Sequence, residues 1–317
     1  MRKNLLIIFG IVAIFIVKPP VVAAQGLSLD LYPPVIHIQT TPPSSPNAPV
    51  IIKNNNKDEV ELNIRLIPIV KKGAEGDVEL KPELLTSGFY QYYAQRIQFI
   101  VDGYKSDVIR LKPLEKREIS VNINLSKDDP PGDFYYLIAF MAEEQNTSDS
   151  SQSKIPAGVA TNLLLSVGPK SQTTGNISEF STSFFKMNGP VLFKLKIKNS
   201  SKHLILPSGN ISLKNVFGKS VGSIDVLPQF ILADSERYLQ NLAKKSNSKL
   251  GDTISVMWPE NNLFGLYKAT AQIVLSENGK LASESLYFFV FPVYLFLSLT
   301  GLIFVVLSIY IRVKKKI

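Results

Sequence analysis

The sequence predicts an all-β protein of two β-sandwich domains, followed by one C-terminal transmembrane helix. Three observations predict it. Short segments alternate apolar and polar residues with a period of two. Turn-forming residues separate these segments at regular intervals. A single long run without charge, Phe288 to Ile311, lies near the C-terminus.

The alternation is clearest in three places. Val60, Leu62, Ile64 and Leu66 are interleaved with Glu61, Asn63 and Arg65. Ile119, Val121, Ile123 and Leu125 are interleaved with Ser120, Asn122 and Asn124. Val191, Phe193, Leu195 and Ile197 share their segment with Lys194, Lys196 and Lys198. Each pattern describes a strand with one buried face. Phe134 to Met141 is apolar on both faces, as a central strand is. Ile211 to Val216, Thr253 to Trp258, Lys268 to Leu275 and Ser283 to Phe289 complete the strand candidates.

Asn54-Asn55-Asn56-Lys57-Asp58 lies between two apolar runs and reads as a hairpin connection. Ser276 to Lys280 reads likewise, with Asn278-Gly279 as its tight-turn pair. Glu143 to Lys154 is polar and Ser-rich, a long loop. Many short strands with such punctuation argue for immunoglobulin-like sandwiches. Two segments predict helix instead. Pro82 to Phe99 carries Leu84, Leu85, Phe89, Tyr92, Tyr93 and Ile97, and Asp234 to Lys245 opens on a capping residue and closes on two lysines.

The polar stretch Gly168 to Gly175 sets a boundary. It divides the chain into domain one, residues 26–168, and domain two, residues 176–285. A weak internal repeat supports the division. Pro130-Pro131-Gly132-Asp133-Phe134-Tyr135 leads into one apolar strand, and Phe264-Gly265-Leu266-Tyr267 leads into another. In each, glycine permits a tight turn and an aromatic side chain follows it into the core.

The two ends predict topology. Met1-Arg2-Lys3, the apolar run Leu5 to Val17 and the small residues Val22-Ala23-Ala24 have the order of a secretory signal, residues 1–24. The run 288–311, if fully helical, is about 36 Å long, enough to cross a bilayer. Arg312, Lys314, Lys315 and Lys316 follow it, so residues 312–317 read as a basic cytoplasmic tail. The expected placement is a single-pass type I cell-membrane protein with an extracellular ectodomain.

These ends also account for the charge. The chain carries +9, and seven of those charges sit on Arg2, Lys3, Lys18, Arg312, Lys314, Lys315 and Lys316, leaving about +2 for the rest. A near-neutral ectodomain argues against nucleic acid as a partner. With no cysteine, the folded part rests on core burial alone.

Residues that carry chemistry are sparse. His37 and His203 are distant in sequence and read as ordinary structural or surface histidines. The chain has no nucleophile elbow, zinc-binding helix motif or phosphate loop. Asp128-Asp129 and Glu143-Glu144 read as solvated loop charges. Phe89-Tyr90-Gln91-Tyr92-Tyr93 has the composition of a ligand-stacking platform, but core capping explains it better. Trp258 reads as core or domain-interface packing, and Lys244, Lys245 and Lys249 as a solvated patch. No catalytic, cofactor-binding or metal-binding residue is assigned, and no enzyme activity or cofactor is expected.

The layout resembles the bacterial WxL-interacting cell-surface proteins. The likeness lies mainly in the first domain: Leu29-Asp30-Leu31-Tyr32-Pro33, the strand after Asn54-Asn55-Asn56, Arg110-Leu111-Lys112-Pro113-Leu114-Glu115, and Pro130 to Tyr135. These short motifs also occur in pilus-chaperone-like sandwiches. The resemblance implies two sandwiches on an anchor, the first associated with peptidoglycan and the second with partner proteins. The expected function is a membrane-anchored binding or scaffold protein of the cell envelope. The alternative is a chaperone-like assembly factor for surface or pilus subunits, and a hydrolase with dispersed carboxylates stands third.

Overall fold

The computed structural model describes residues 27–86, 88–142, 157–169, 172–241, 254–276 and 279–314. The expected signal segment and the loop Glu143 to Lys154 lie outside the described residues. So do Lys244, Lys245 and Lys249.

Among the described residues, twenty strands and two α-helices follow in order. The first part holds β1 (Leu29–Tyr32), β2 (Val35–Thr40), β3 (Asn47–Asn54), β4 (Val60–Lys72) and β5 (Asp77–Leu80). A 3-10 turn (Pro82–Thr86) and α1 (Gly88–Ala94) come next. Then come β6 (Ile97–Val101), β7 (Tyr104–Lys105), β8 (Val108–Leu111), β9 (Lys116–Ile123), β10 (Gly132–Ala142) and β11 (Gly158–Val167). The second part holds β12 (Gly175–Ser181), β13 (Phe185–Lys186), β14 (Val191–Asn199), β15 (Ser208–Asn215), β16 (Ser220–Val226) and β17 (Ser235–Tyr238). It ends with β18 (Val256–Trp258), β19 (Gly265–Val274), β20 (Leu281–Val290) and α2 (Val293–Lys314).

Each part is a two-sheet sandwich. In the first, the sheet β1-β3-β9-β6-β7 faces the sheet β2-β11-β10-β4-β5, with β8 also on β4. The inward residues are those the alternation marks: Leu62 and Ile64, Ile119, Val121 and Ile123, with Val50, Phe99, Phe134, Tyr136 and Leu163. Each such side chain contributes about 1.5–3 kcal/mol by burial. In the second, the sheet β12-β14-β17, with β18 on β14, faces β13-β20-β19-β15-β16. Val191, Phe193, Leu195 and Ile197 meet Ile211, Leu213, Ala271, Ile273 and Phe288 there. Trp258 packs edge-on against Tyr267 in the same core.

Several expectations need correction. Asn54 to Asp58 is not a hairpin. β3 pairs with β1 and β9, and β4 belongs to the opposite sheet, so the segment is an arch between sheets. The arch is held by Asn54, which is 0% exposed. Its Nδ2 donates to the carbonyls of Asp58 (2.8 Å), Leu111 (3.2 Å) and Lys112 (3.0 Å), and its Oδ1 accepts from the Asn56 N–H at 2.9 Å. Asn199 repeats the device in the second sandwich, also at 0% exposure. It donates to the carbonyls of His203 (3.0 Å), Ile231 (3.2 Å) and Leu232 (2.9 Å), and accepts from the Ser201 N–H at 2.9 Å. Lys53-Asn54-Asn55-Asn56 and Lys198-Asn199-Ser200-Ser201 thus end equivalent strands in the same way. Asn54→Leu removes the amide from the carbonyls of Asp58 and Leu111 and from the Asn56 N–H, while the Lys112 carbonyl still accepts from the Glu115 N–H. We expect it to cost about 2 kcal/mol, read as a lower urea midpoint. A loss under about 0.5 kcal/mol would show that water replaces the amide.

The helix expected over 82–99 stops at Ala94, because Ile97 to Val101 alternates in and out and joins β9 as β6. The helix expected from Asp234 is instead strand β17, paired with β14 over Ser235–Tyr238. Cross-strand pairing overrides the cap signal there. Residues 242–245 of that segment lie outside the described residues. β19 and β20, on either side of Ser276 to Lys280, do pair antiparallel, with Val274 opposite Leu281, while residues 277 and 278, including Asn278 of the expected turn pair, lie outside the described residues.

The C-terminal run also differs from expectation. Its first residues, Phe288, Phe289 and Val290, are the end of β20, paired with β19. The helix starts only at Val293, leaving the 19 residues 293–311 as its uncharged part. At 1.5 Å per residue these rise about 28 Å, against about 36 Å for the run from Phe288. Among the described residues no helix is long and apolar enough to cross a membrane. The transmembrane helix over 288–311 is corrected accordingly, and with it the single-pass placement in the cell membrane with a cytoplasmic tail. Phe296, Leu302 and Phe304 of α2 are exposed.

Candidate functional site

The two sandwiches meet along the outer face of β10, β11 and β4. This explains why Phe134 to Met141 is apolar on both faces. Phe134, Tyr136 and Ile138 point into the first core, while Tyr135 and Leu137 point outward. Leu163 and Leu165 are in that core too, and Leu164 is outside it. Ile69, Tyr135 and Leu164 form a small apolar cluster with Leu204, Phe230 and Leu232 of the second sandwich. The His37 ring packs against Phe230, centroids 5.0 Å apart.

A polar clamp crosses beside this cluster. Asp133 Oδ1 lies 2.6 Å from His203 Nδ1, with side chains 3% and 14% exposed. A carboxylate only accepts, so Nδ1 carries the proton. Asp133 Oδ2 accepts from the Leu204 N–H at 2.7 Å and from the Tyr135 hydroxyl at 2.6 Å. The Tyr135 hydroxyl in turn accepts from the Ala233 N–H at 3.1 Å. Burial, with the Asp133 charge beside it, pushes the Tyr135 phenol well up, so it stays a donor. Further along, the Tyr238 N–H donates to the Ala74 carbonyl at 2.7 Å, tying β17 to the turn between β4 and β5. The Lys71 ammonium donates to the Asp234 carbonyl.

Between these contacts lies a cavity of about 340 Å³. Val35, Ile69 and Leu164 form one wall, and Phe230, Leu232 and Arg237 the other. Arg237 Nη1 donates to the Phe230 carbonyl at 2.9 Å. Its guanidinium rests on Gly76: a Cβ there would come within 2.4 Å of Arg237 Cζ. Burial pushes the Arg237 pKa down, against the opposing pull of Asp77.

A second feature is the start of β11. On one side β11 pairs with β10 along its whole length, Gly158 to Val167. On the other it pairs in parallel with β2, but only from Asn162 onward. The Asn162 N–H donates to the Pro34 carbonyl and the Gly168 N–H to the Thr40 carbonyl, so even-numbered residues face β2. By the same alternation Gly158 and Ala160 present their backbone groups on a side where no described strand pairs with them.

The aromatic segment 89–93 caps the first core. Tyr93 is fully buried and lies 4.0 Å, centroid to centroid, from Phe134. Burial pushes its phenol up to about 12. Tyr90 meets Phe134 and Tyr136 edge-on. Asp129, expected as a solvated loop charge, is buried and holds this cap. Arg96 Nε and Nη2 donate to its two carboxylate oxygens, each at 2.7 Å, and the Tyr92 hydroxyl donates at 2.6 Å.

Of the two histidines, sequence reasoning missed that both reach one junction, His37 on Phe230 and His203 on Asp133. Spacing cannot show this, because 165 intervening positions hide a contact made by folding. The available signal was Asp133 itself, an acid inside an otherwise apolar strand start. Among the described residues no group of side chains could hold a metal ion.

No family model matches the chain, and no curated protein matches it. Solved structures show likeness at low identity. The class 5 fimbriae chaperone CfaA is similar with a TM-score of 0.38 and 12% identity, over 82% of this chain and 99% of that one. The E. coli chaperone DraB is similar with a TM-score of 0.35 and 12% identity, over 83% and 96%. A PapD-like domain of human CEP192 is similar with a TM-score of 0.29 and 11% identity, over 48% and 94%.

Proposed function

We propose that this chain is a chaperone-like assembly factor for β-rich surface or pilus subunits, and not an enzyme. It holds an extended segment of its partner against the start of β11. The observation that carries this reading is the unpaired side of β11 at Gly158 and Ala160. A strand edge with free N–H and C=O groups is a template for adding a further strand. The Asp133 clamp and the apolar cluster behind it hold the second sandwich while that strand is bound.

Ala160→Pro is the sharpest test. It removes the N–H that faces the open side and leaves the β10 ladder intact, and proline is tolerated at such an edge. A photo-crosslinker at position 157, exposed beside the start of β11, is expected to trap a subunit in the native host, and Ala160→Pro in the same chain to abolish that adduct with the melting temperature unchanged. An adduct of undiminished yield would end the edge-pairing reading.

The resemblance of first-domain motifs to those of WxL-interacting proteins favours a second reading, a scaffold on cell-wall polymer. Binding of residues 25–285 to purified cell wall, above that of an unrelated sandwich, would favour it.

A further inference from the structure

The start of β11 leaves open more than a row of backbone groups. β1 is the last strand of one sheet of the first sandwich, and β11 runs near it in the other. The chain crosses from β1 to β2 at Pro33-Pro34, where the Thr161 hydroxyl donates to the Pro33 carbonyl at 2.7 Å. Beyond that crossing β2 covers β11 from Asn162 onward. Before it, among the described residues, no strand lies outside Gly158 and Ala160 in the plane of their sheet. Core side chains are only half covered there. Leu29 and Leu31 of β1 and Val159 of β11 pack against the first core yet stay partly exposed.

Two independent features therefore meet at one edge. Unpaired N–H and C=O groups fit an extended chain. Partly covered aliphatic side chains on the core side fit apolar groups. A strand added beside β11 turns every second side chain toward the core, onto the side of Leu29, Leu31 and Val159. A stretch of four residues spans about 13 Å and supplies two such side chains. A polar side chain at either position would leave water without gaining a partner. The start of β11 has little bulk of its own to lend, because Gly158, Val159, Ala160 and Thr161 are all small or medium-sized. The apolar volume has to come from the other chain.

We propose that the partner segment carries aliphatic side chains at alternate positions, with polar residues between them, and that the aliphatic ones complete the first core over Leu29, Leu31 and Val159. This rests on the edge-pairing reading of β11 and specifies the sequence which that edge selects. Side chains pass from the subunit into this chain, and β11 contributes the backbone ladder.

The test uses the full chain and two lysine-flanked, end-capped peptides, Thr-Val-Thr-Val-Thr and the same peptide with each valine replaced by threonine. The two share shape and backbone and differ only in apolar surface. Calorimetry is expected to show the valine peptide binding at least about tenfold more tightly. Val159→Thr is expected to weaken that binding severalfold at an unchanged melting temperature. Leu29→Thr is expected to do the same and covers the case where one of the two variants does not fold. Ala160→Pro is expected to abolish it. Equal binding of the two peptides, still abolished by Ala160→Pro, would overturn this proposal and leave the edge-pairing reading standing. So would a preference for valine that survives both Val159→Thr and Leu29→Thr. Binding that survives Ala160→Pro would overturn both. No binding of the valine peptide at millimolar concentration would overturn the alternating-aliphatic proposal, with the adduct at position 157 still deciding the edge.

Discussion

Asp133→Ala is expected to uncouple the two sandwiches. It deprives His203 Nδ1, the Leu204 N–H and the Tyr135 hydroxyl of one shared acceptor. Each buried donor left unpaired costs about 1–3 kcal/mol, so the junction loses about 4 kcal/mol after some entry of water. That is a large share of the 5–15 kcal/mol typical of a whole domain. The cores of the two sandwiches do not contain Asp133, so each retains its own packing. Calorimetry is therefore expected to change from one transition to two, with hydrogen exchange rising first at Leu204 and Ala233. Asp133→Asn keeps one acceptor oxygen and is expected to lose about half as much. A single transition at the original temperature in Asp133→Ala would show that the apolar cluster around Tyr135 and Leu164 holds the junction without the clamp.

Asp129→Ala is expected to destabilise the first sandwich by about 3 kcal/mol, the low end for breaking a buried ion pair. The low end applies because Arg96 keeps 24% of its side chain in water, whereas Asp129 keeps 1%. The loss falls on α1, which Arg96, Tyr92 and Asp129 pin over Phe134. An Asp129→Leu, Arg96→Met pair is expected to be less damaging than Asp129→Leu alone, since no charge is then stranded. The same carboxylate creates a pH dependence. The Arg96 guanidinium, helped by Tyr92 and the Ser126 N–H and opposed by burial, lowers its pKa from 3.8 to about 2. A lowered folded-state pKa gives stability that is complete above about pH 4 and lost as pH falls toward 2. Discounted for solvent around Arg96, this amounts to about 1 kcal/mol. Urea midpoints between pH 5 and 2 are expected to fall more steeply in the native chain than in Asp129→Asn. Parallel slopes would assign the acid loss to other carboxylates.

Much of the fold was legible in the residues. The alternation at 60–66, 119–125 and 191–197 placed strands β4, β9 and β14, because one buried face per strand writes itself as period two. The turn at 276–280 was readable for a similar local reason. Asp129 was not. Its neighbours Lys127 and Asp128 give it the look of a solvated turn, and only the return of Arg96 and Tyr92 from another segment buries it. The arch at Asn54 was misread because an asparagine that bonds only its own turn and one that also bonds two distant carbonyls, those of Leu111 and Lys112, have the same local sequence. β17 was misread as helix for a comparable reason, since its partner β14 is far away in the chain.

By itself, then, the sequence determined the all-β class, the cysteine-free cores and most strands of both sandwiches. These follow from burial patterns within a few residues. Only the tertiary structure decided what lies between the sandwiches. It set Asp133 on His203, left Arg237 facing a cavity, stopped β2 short of the start of β11, and began the C-terminal helix at Val293 instead of Phe288. Each of these depends on which distant segments come to lie side by side, and local patterning holds no record of that.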